Sequence, residues 1–201
     1  MLEYPSIPSS KESVNHIGKN VICTYKYDGQ NLRWERNKKN WIKSGSRTSI
    51  FDSTATHFSD AITLFNSISP HIDEVISKNF NNFNNITVFT EFYGEKSIAG
   101  IHKKDDPKKL KFFDIAINNE FLPTKLFYKY FGHLDFVAEI IYKGILTEEF
   151  INNVKEDNLN VPLFEGVIVN VSDKNKFKIK TNKYKELLKE IYEGNWEKFY
   201  E

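Results

Sequence analysis

Short runs of β-branched, aromatic and alternating residues recur along the whole chain, and they constrain its fold more than any other feature. They cover Asn20 to Tyr27, Asn31 to Arg36, Asn40 to Lys43, Ile86 to Tyr93, Leu110 to Ile117, Leu134 to Ile140, Phe164 to Val171 and Lys176 to Thr181. Most are bounded by Gly, Asn, Asp or Pro, the residues that turn a chain. Asp28-Gly29, between the first two runs, is the dipeptide of a tight hairpin turn. A chain so rich in short strands builds antiparallel sheets.

Helical spacing appears between the strands. Ser59 to Ser67 is one helix and, after Pro70, Asp73 to Lys78 another, with Phe58, Ile62, Phe65 and Val75 on apolar faces. A third runs from Thr147 to Lys155, with Thr147 as N-cap and Glu148 and Glu149 favourably placed in the first turn. Near the C-terminus Tyr184, Leu187, Leu188, Ile191 and Tyr192 form an apolar core stripe, and Gly194 interrupts it before Trp196 and Phe199. The mixture predicts an α+β fold with antiparallel sheets flanked by helices. With 201 residues, 40% of them hydrophobic, a single domain over 1–201 is expected, residues 182–201 forming a C-terminal helical segment.

Bulk properties exclude several function classes. The 28 basic and 27 acidic residues leave a net charge of +1, so no global polycation coats nucleic acid. Lysines do cluster locally, at Lys103, Lys104, Lys108, Lys109 and Lys111, and at Lys174, Lys176, Lys178, Lys180, Lys183 and Lys185, patterns that usually mark solvated faces. Cys23 is the single cysteine, which excludes an internal disulfide, and its apolar flanks predict a buried thiol. His57, His71, His102 and His133 lack metal-ligand spacing. No apolar run reaches membrane-span length and the start lacks a secretory pattern, so a cytoplasmic protein with no membrane contact is expected. The abundance of Asn, Lys, Ile and Phe suits an A/T-rich genome, such as that of many phages or low-GC bacteria.

Lys26 precedes Tyr27-Asp28-Gly29 at a strand end, where a side chain can be presented into a site. A lysine becomes a nucleophile only when neighbouring cations or desolvation favour its neutral form. Taken alone, Lys-x-Asp-Gly is more often a surface hairpin. Further segments follow in order: Glu91-Phe92-Tyr93-Gly94, Phe112-Phe113-Asp114-Ile115, Phe164-Glu165-Gly166-Val167 and Phe177-Lys178-Ile179-Lys180. Strand periodicity puts Lys178 and Lys180 on one sheet face, where both ammonium groups can meet a polyphosphate and repel the charge on Lys26.

This ordered set resembles the covalent nucleotidyltransferase superfamily of polynucleotide ligases and mRNA capping enzymes. Lys26-Tyr27-Asp28-Gly29 is similar to its motif I, Glu91-Phe92-Tyr93-Gly94 to motif III, Phe113-Asp114 to motif IIIa, Glu165-Gly166-Val167 to motif IV and Lys178-Ile179-Lys180 to motif V. Asn31, five positions beyond the lysine, resembles RNA ligases, whereas DNA ligases commonly carry Arg there. Lys43-Ser44-Gly45-Ser46-Arg47-Thr48 resembles a phage RNA ligase segment whose arginine, matched by Arg47, contacts the nucleotide. The resemblance implies an ATP-dependent RNA ligase, phage-type, acting in RNA repair.

By the same resemblance Lys26 forms lysyl-AMP, Glu91 holds the ribose, Phe113 stacks on adenine and Lys178 and Lys180 neutralise phosphates. Glu165 acts through Mg2+ or Mn2+, directly or by water, while Asn31 and Arg33 lie near the phosphate. Thr24 stands where DNA ligases often place glutamate, leaving base recognition to backbone around Thr24 and Tyr25, with ATP less firmly distinguished from GTP. AMP then passes to an RNA 5′-phosphate, which a 3′-hydroxyl seals. The short stretch after Lys180 implies that no OB-fold follows, which disfavours capping and leaves RNA grip to the catalytic face or an accessory protein. Alternatives are a minimal DNA ligase, a non-catalytic RNA-end binding module of the same fold, and an enzyme that transfers AMP to protein.

Overall fold

The computed structural model describes residues 1–52, 54–95, 102–172 and 175–197; the expectations for Lys174 and Phe199 fall outside them. In chain order the strands are β1 (Asn20–Lys26), β2 (Gln30–Arg36), β3 (Trp41–Ser46), β4 (Ile50–Phe51), β5 (Ile86–Tyr93), β6 (Lys109–Ile117), β7 (Glu120–Phe121), β8 (Ile140–Ile145), β9 (Gly166–Asn170) and β10 (Lys176–Lys180). The helices are α1 (Ser59–Asn79), α2 (Thr124–Phe131), α3 (Glu148–Lys155) and α4 (Asn182–Tyr192). The backbone divides into two compact units: Met1–Pro5 with Asp28–Ala138, and Ser6–Tyr27 with Glu139–Glu201.

The first unit is a six-stranded antiparallel sheet in the order β4-β3-β2-β5-β6-β7. One face follows from strand alternation: Leu32 and Trp34 of β2, Val88 and Phe92 of β5 and Leu110 and Phe112 of β6 join one apolar core with Phe65 and Ile72 of α1 and Phe127 and Phe131 of α2. Trp34 stacks on Phe65 at 4.0 Å between centroids and donates from Nε1 to Thr90 Oγ1, so its polar edge is satisfied inside the core. The intervening residues Asn31, Arg33, Glu91 and Lys111 alternate to the opposite face.

The second unit is a four-stranded antiparallel sheet in the order β10-β9-β1-β8. Val21, Cys23, Val167, Val169, Phe177 and Ile179 pack with Phe150, Ile151 and Val154 of α3. Thr147 caps α3 as expected, accepting from the Phe150 amide at 3.1 Å. The outer edge of β10 is covered, because the Lys178 amide donates to Pro8 O at 2.9 Å and the 3-10 turn Ser10–His16 follows, with His16 stacked on Phe177. Neither sheet closes into a barrel among the described residues, and the α+β fold with antiparallel sheets stands.

Local signals failed at three places, and one further helix had no sequence expectation. Asp28-Gly29 closes no hairpin, since β1 and β2 lie in different sheets. Their apolar residues belong to separate cores, and Gly29 is needed because a Cβ there would lie 2.4 Å from Phe92 O. Leu134 to Ile140 is no strand: Val137 makes one isolated bridge to Phe112, and regular pairing begins at Ile140. The helix broken at Pro70 in the sequence reading is continuous as α1. Proline leaves the Asn66 carbonyl without its amide donor, and Ser69 Oγ approaches it at 3.5 Å while Phe65, Ile72 and Ile76 hold both halves to the core. The aromatic run Phe127 to Phe131 is α2, where Phe127 and Phe131 share one buried face at a four-residue interval.

Candidate active site

Lys26, Glu165 and Lys180 converge in the second unit because of strand register. Gly166 of β9 pairs with Lys26 of β1 on one side and with Lys180 of β10 on the other. Glu165, just before it, sends Oε2 to the Lys26 ammonium at 2.8 Å and Oε1 to the Lys180 ammonium at 3.1 Å. Its side chain is 4% exposed and that of Lys180 6%, so both charges are out of bulk water, where pairing of opposite charges makes burial tolerable.

Glycine is required between the two lysines. Gly166 has φ +149°, a conformation that residues with a side chain rarely adopt, and a Cβ there would stand 2.0 Å from Ile179 O and 2.8 Å from the Lys180 Cα. The close approach of β9 and β10 that sets the Glu165 to Lys180 distance therefore depends on a missing side chain. The sequence did carry a signal for this, since an isolated glycine inside a strand pattern marks close backbone approach.

The expected depression of Lys26 by like charges acquires a competitor in this arrangement. A carboxylate against the ammonium favours its protonated form, and Lys180 draws on the same carboxylate. Lys178, two positions from Lys180 along β10, is only partly buried, and its amide is held by Pro8.

Around Lys26 the strand is anchored on both sides. Thr24 is buried and pairs with Ile168 of β9 and Ile140 of β8, beside an irregularity in the β1–β8 register. Tyr25 donates its amide to Glu139 O at 2.9 Å, and its hydroxyl accepts from the Phe164 amide at 2.9 Å. Burial is the main cause that raises the Tyr25 phenol above its ordinary pKa. Tyr27, whose ring lies 4.8 Å from that of Tyr25, donates its hydroxyl to Glu139 in a contact the sequence gave no sign of.

In the first unit, Asn31 of β2 pairs with Glu91 of β5, and Glu91 with Lys111 of β6, which lines the three up across the sheet face opposite the apolar core. Asn31 is 8% exposed, and its Oδ1 has no hydrogen-bond partner among the described residues. Phe113 is the extra residue of a β-bulge, where Thr90 pairs with Phe112 and Phe89 with Asp114. It is half-buried, its ring edge-on to Tyr4 at 5.0 Å, and Tyr4 donates its hydroxyl to Asp114 at 2.9 Å.

Arg33 and Arg47 are placed differently. Arg33 is buried, and its guanidinium donates to Ser46 O at 2.6 Å, Leu2 O at 3.0 Å and Met1 O at 3.2 Å, so it straps the N-terminal residues to β3. Arg47 is exposed at the bend between β3 and β4. His102 hydrogen-bonds Asp28 O at 2.6 Å, beside the turn that follows Lys26.

The family model described as RNA ligase matches residues 19–185. Among solved structures, the chain is similar to the RNA ligase of Naegleria gruberi with pyrophosphate, at TM-score 0.68 and 20% identity over 94% of this chain and 60% of that one. A ligand-free variant of that ligase matches at TM-score 0.69 and 19% identity over 94% and 58%. A variant with ATP and manganese matches at 0.67 and 18% over 91% and 57%. The chain thus spans about three fifths of the length of the ligases it resembles, and at this identity the likeness is one of fold. No curated protein sequence matches it.

Proposed function

Because the chain belongs to the RNA ligase family, we propose that it is an ATP-dependent RNA ligase working through a covalent lysyl-AMP intermediate. The observation that carries the proposal is the Lys26, Glu165 and Lys180 cluster built around Gly166. Lys26 Nζ attacks the α-phosphorus of ATP; the new N–P bond forms as the bond to pyrophosphate breaks, and the amine must first have lost a proton. Glu165 Oε2 is the acceptor against that nitrogen at 2.8 Å. As negative charge builds on the phosphoryl oxygens, Lys180 and Lys178 stabilise it.

Glu91 is assigned to the ribose, Phe113 to the adenine face, Asn31 and Arg47 to the nucleotide, and the backbone at Thr24 and Tyr25 to base selection. Arg33 acts by holding β2 and β3 together. An RNA 5′-phosphate oxygen next takes the AMP, freeing Lys26, and a 3′-hydroxyl displaces AMP to form the phosphodiester. ATP and manganese accompany the Naegleria gruberi ligase, which supports both here.

The residues fit a divalent ion of the magnesium type. No group of three or more His, Cys, Asp or Glu forms a metal cage among the described residues, whereas Mg2+ and Mn2+ are commonly held by one or two carboxylates with water and substrate phosphates. Glu165 is the carboxylate that would hold it, and the ion would supply charge neutralisation. No helix among the described residues is long and apolar enough to cross a membrane.

Intact mass after incubation with ATP and magnesium tests the reading. An AMP adduct is expected on the wild type and not on Lys26→Ala, and the adduct should then discharge onto nicked RNA. Discharge onto DNA alone would make it a DNA ligase. Failure of any adduct, with manganese or GTP supplied and pyrophosphate removed, would refute lysyl-nucleotide chemistry.

A further inference from the structure

We propose that Tyr184, so far assigned only to the apolar stripe of α4, is a positioning residue that holds the Lys180 ammonium in place through its ring face. The inference rests on the ligase reading for its consequence in catalysis, but not for the contact itself. Lys180 Nζ lies 5.1 Å from the centroid of the Tyr184 ring, and both side chains are buried. The geometry is that of a cation over an aromatic face, where the ring quadrupole attracts the charge most strongly when water is excluded.

The backbone builds this contact deliberately. Thr181 follows Lys180 and donates its amide to Glu165 O at 2.9 Å, while its hydroxyl caps α4 by accepting from the Tyr184 amide at 3.1 Å. One residue thus ties the Glu165 backbone to the helix turn that carries the ring. Phe164, on the other side of Glu165, packs edge-on against Tyr184 at 5.8 Å and 71°, which fixes the ring plane.

The ring answers a problem that the carboxylate creates. In the proposed reaction Lys180 must leave Glu165 for a phosphate, and Glu165 must be free to engage other charge. A buried ammonium losing an anionic partner would swing away or give up its proton. A neutral aromatic face stabilises the cation in either state without competing for the phosphate, so Lys180 stays poised for the charge that develops in the transition state.

The test measures AMP adduct formation on Tyr184→Phe and Tyr184→Leu against ATP concentration. We expect Tyr184→Leu to lower the rate at saturating ATP about tenfold, with half-saturation shifted about twofold or less, and Tyr184→Phe to stay within about twofold of wild type. Equal rates for Leu and wild type, or an equal loss in Phe and Leu, would overturn the positioning role. Pentafluorophenylalanine at 184 preserves shape while removing the attractive ring face and should behave like Leu, which guards against a Leu variant that does not fold. A double-mutant cycle with Lys180→Met, read by urea denaturation, tests the contact without nucleotide; coupling near zero overturns it. A wild type that forms no adduct yet shows the coupling would sink the ligase reading and leave the contact standing.

Discussion

Replacing Gly166 by alanine strikes the point where strand register becomes chemistry. The added Cβ would sit 2.0 Å from Ile179 O and 2.9 Å from its carbonyl carbon, backbone atoms that cannot rotate away. The residue would also have to keep φ +149°. Backbone strain of this kind costs about 1–3 kcal/mol. Moving β9 off β10 to relieve the clash forfeits at least one ladder hydrogen bond, about 1 kcal/mol more. Together that is roughly 2–4 kcal/mol, equivalent to a fall in Tm of about 4–16 °C for a chain of this size. Widening the strands also separates Glu165 from Lys180, so adduct formation should fall at least tenfold in protein that remains folded. Calorimetry and intact mass on the same sample give both numbers. A Gly166→Ala protein with wild-type Tm and wild-type adduct rate would refute the close approach on which the site geometry rests.

Glu165→Gln removes a counter-charge from the buried Lys180 ammonium and should cost about 3 kcal/mol in urea denaturation, with loss of the AMP adduct. Unchanged stability would show that the pair is not buried together. Arg33→Met should release residues 1–3, seen as faster amide exchange there, and lower stability by about 2–4 kcal/mol, since three backbone carbonyls lose a charged donor; unaltered exchange would contradict the strap. Burial pushes the Cys23 thiol from an ordinary 9.0 up to about 12, so iodoacetamide at pH 8 should label it only in urea. The unfolded thiol ionises first, so its contribution to stability should be intact below about pH 9 and decline from there toward pH 12. Ready labelling of the native protein at pH 8 would contradict that burial.

Strand alternation and helix caps were legible because they are local. β5 begins and ends where the pattern placed it, and Thr147 caps α3 as its type and position required. The ordered motifs likewise single out Lys26, Glu165 and Lys180, and strand register places them together. What failed depended on partners distant in sequence. Asp28-Gly29 has the chemistry of a hairpin, but which sheet β2 joins is decided by Leu32 and Trp34 finding α1, far along the chain. Pro70 would end an isolated helix, yet tertiary packing on both sides carries α1 through it. Sequence likewise cannot show that Arg33 donates to the N-terminal carbonyls.

The division of the chain also sets the order in which the protein can be made. The first unit is nearly continuous, Asp28–Ala138 needing only Met1–Pro5 from outside that span. During synthesis its strands therefore have all their partners before β8 exists. β1 must wait: its neighbours are β8 and β9, and Cys23 pairs with Val169. Closing so long a loop is the slow kind of β-pairing. The strand that carries Lys26 is consequently made well before the partners it folds with, and it takes its place only once β8 and β9 have emerged.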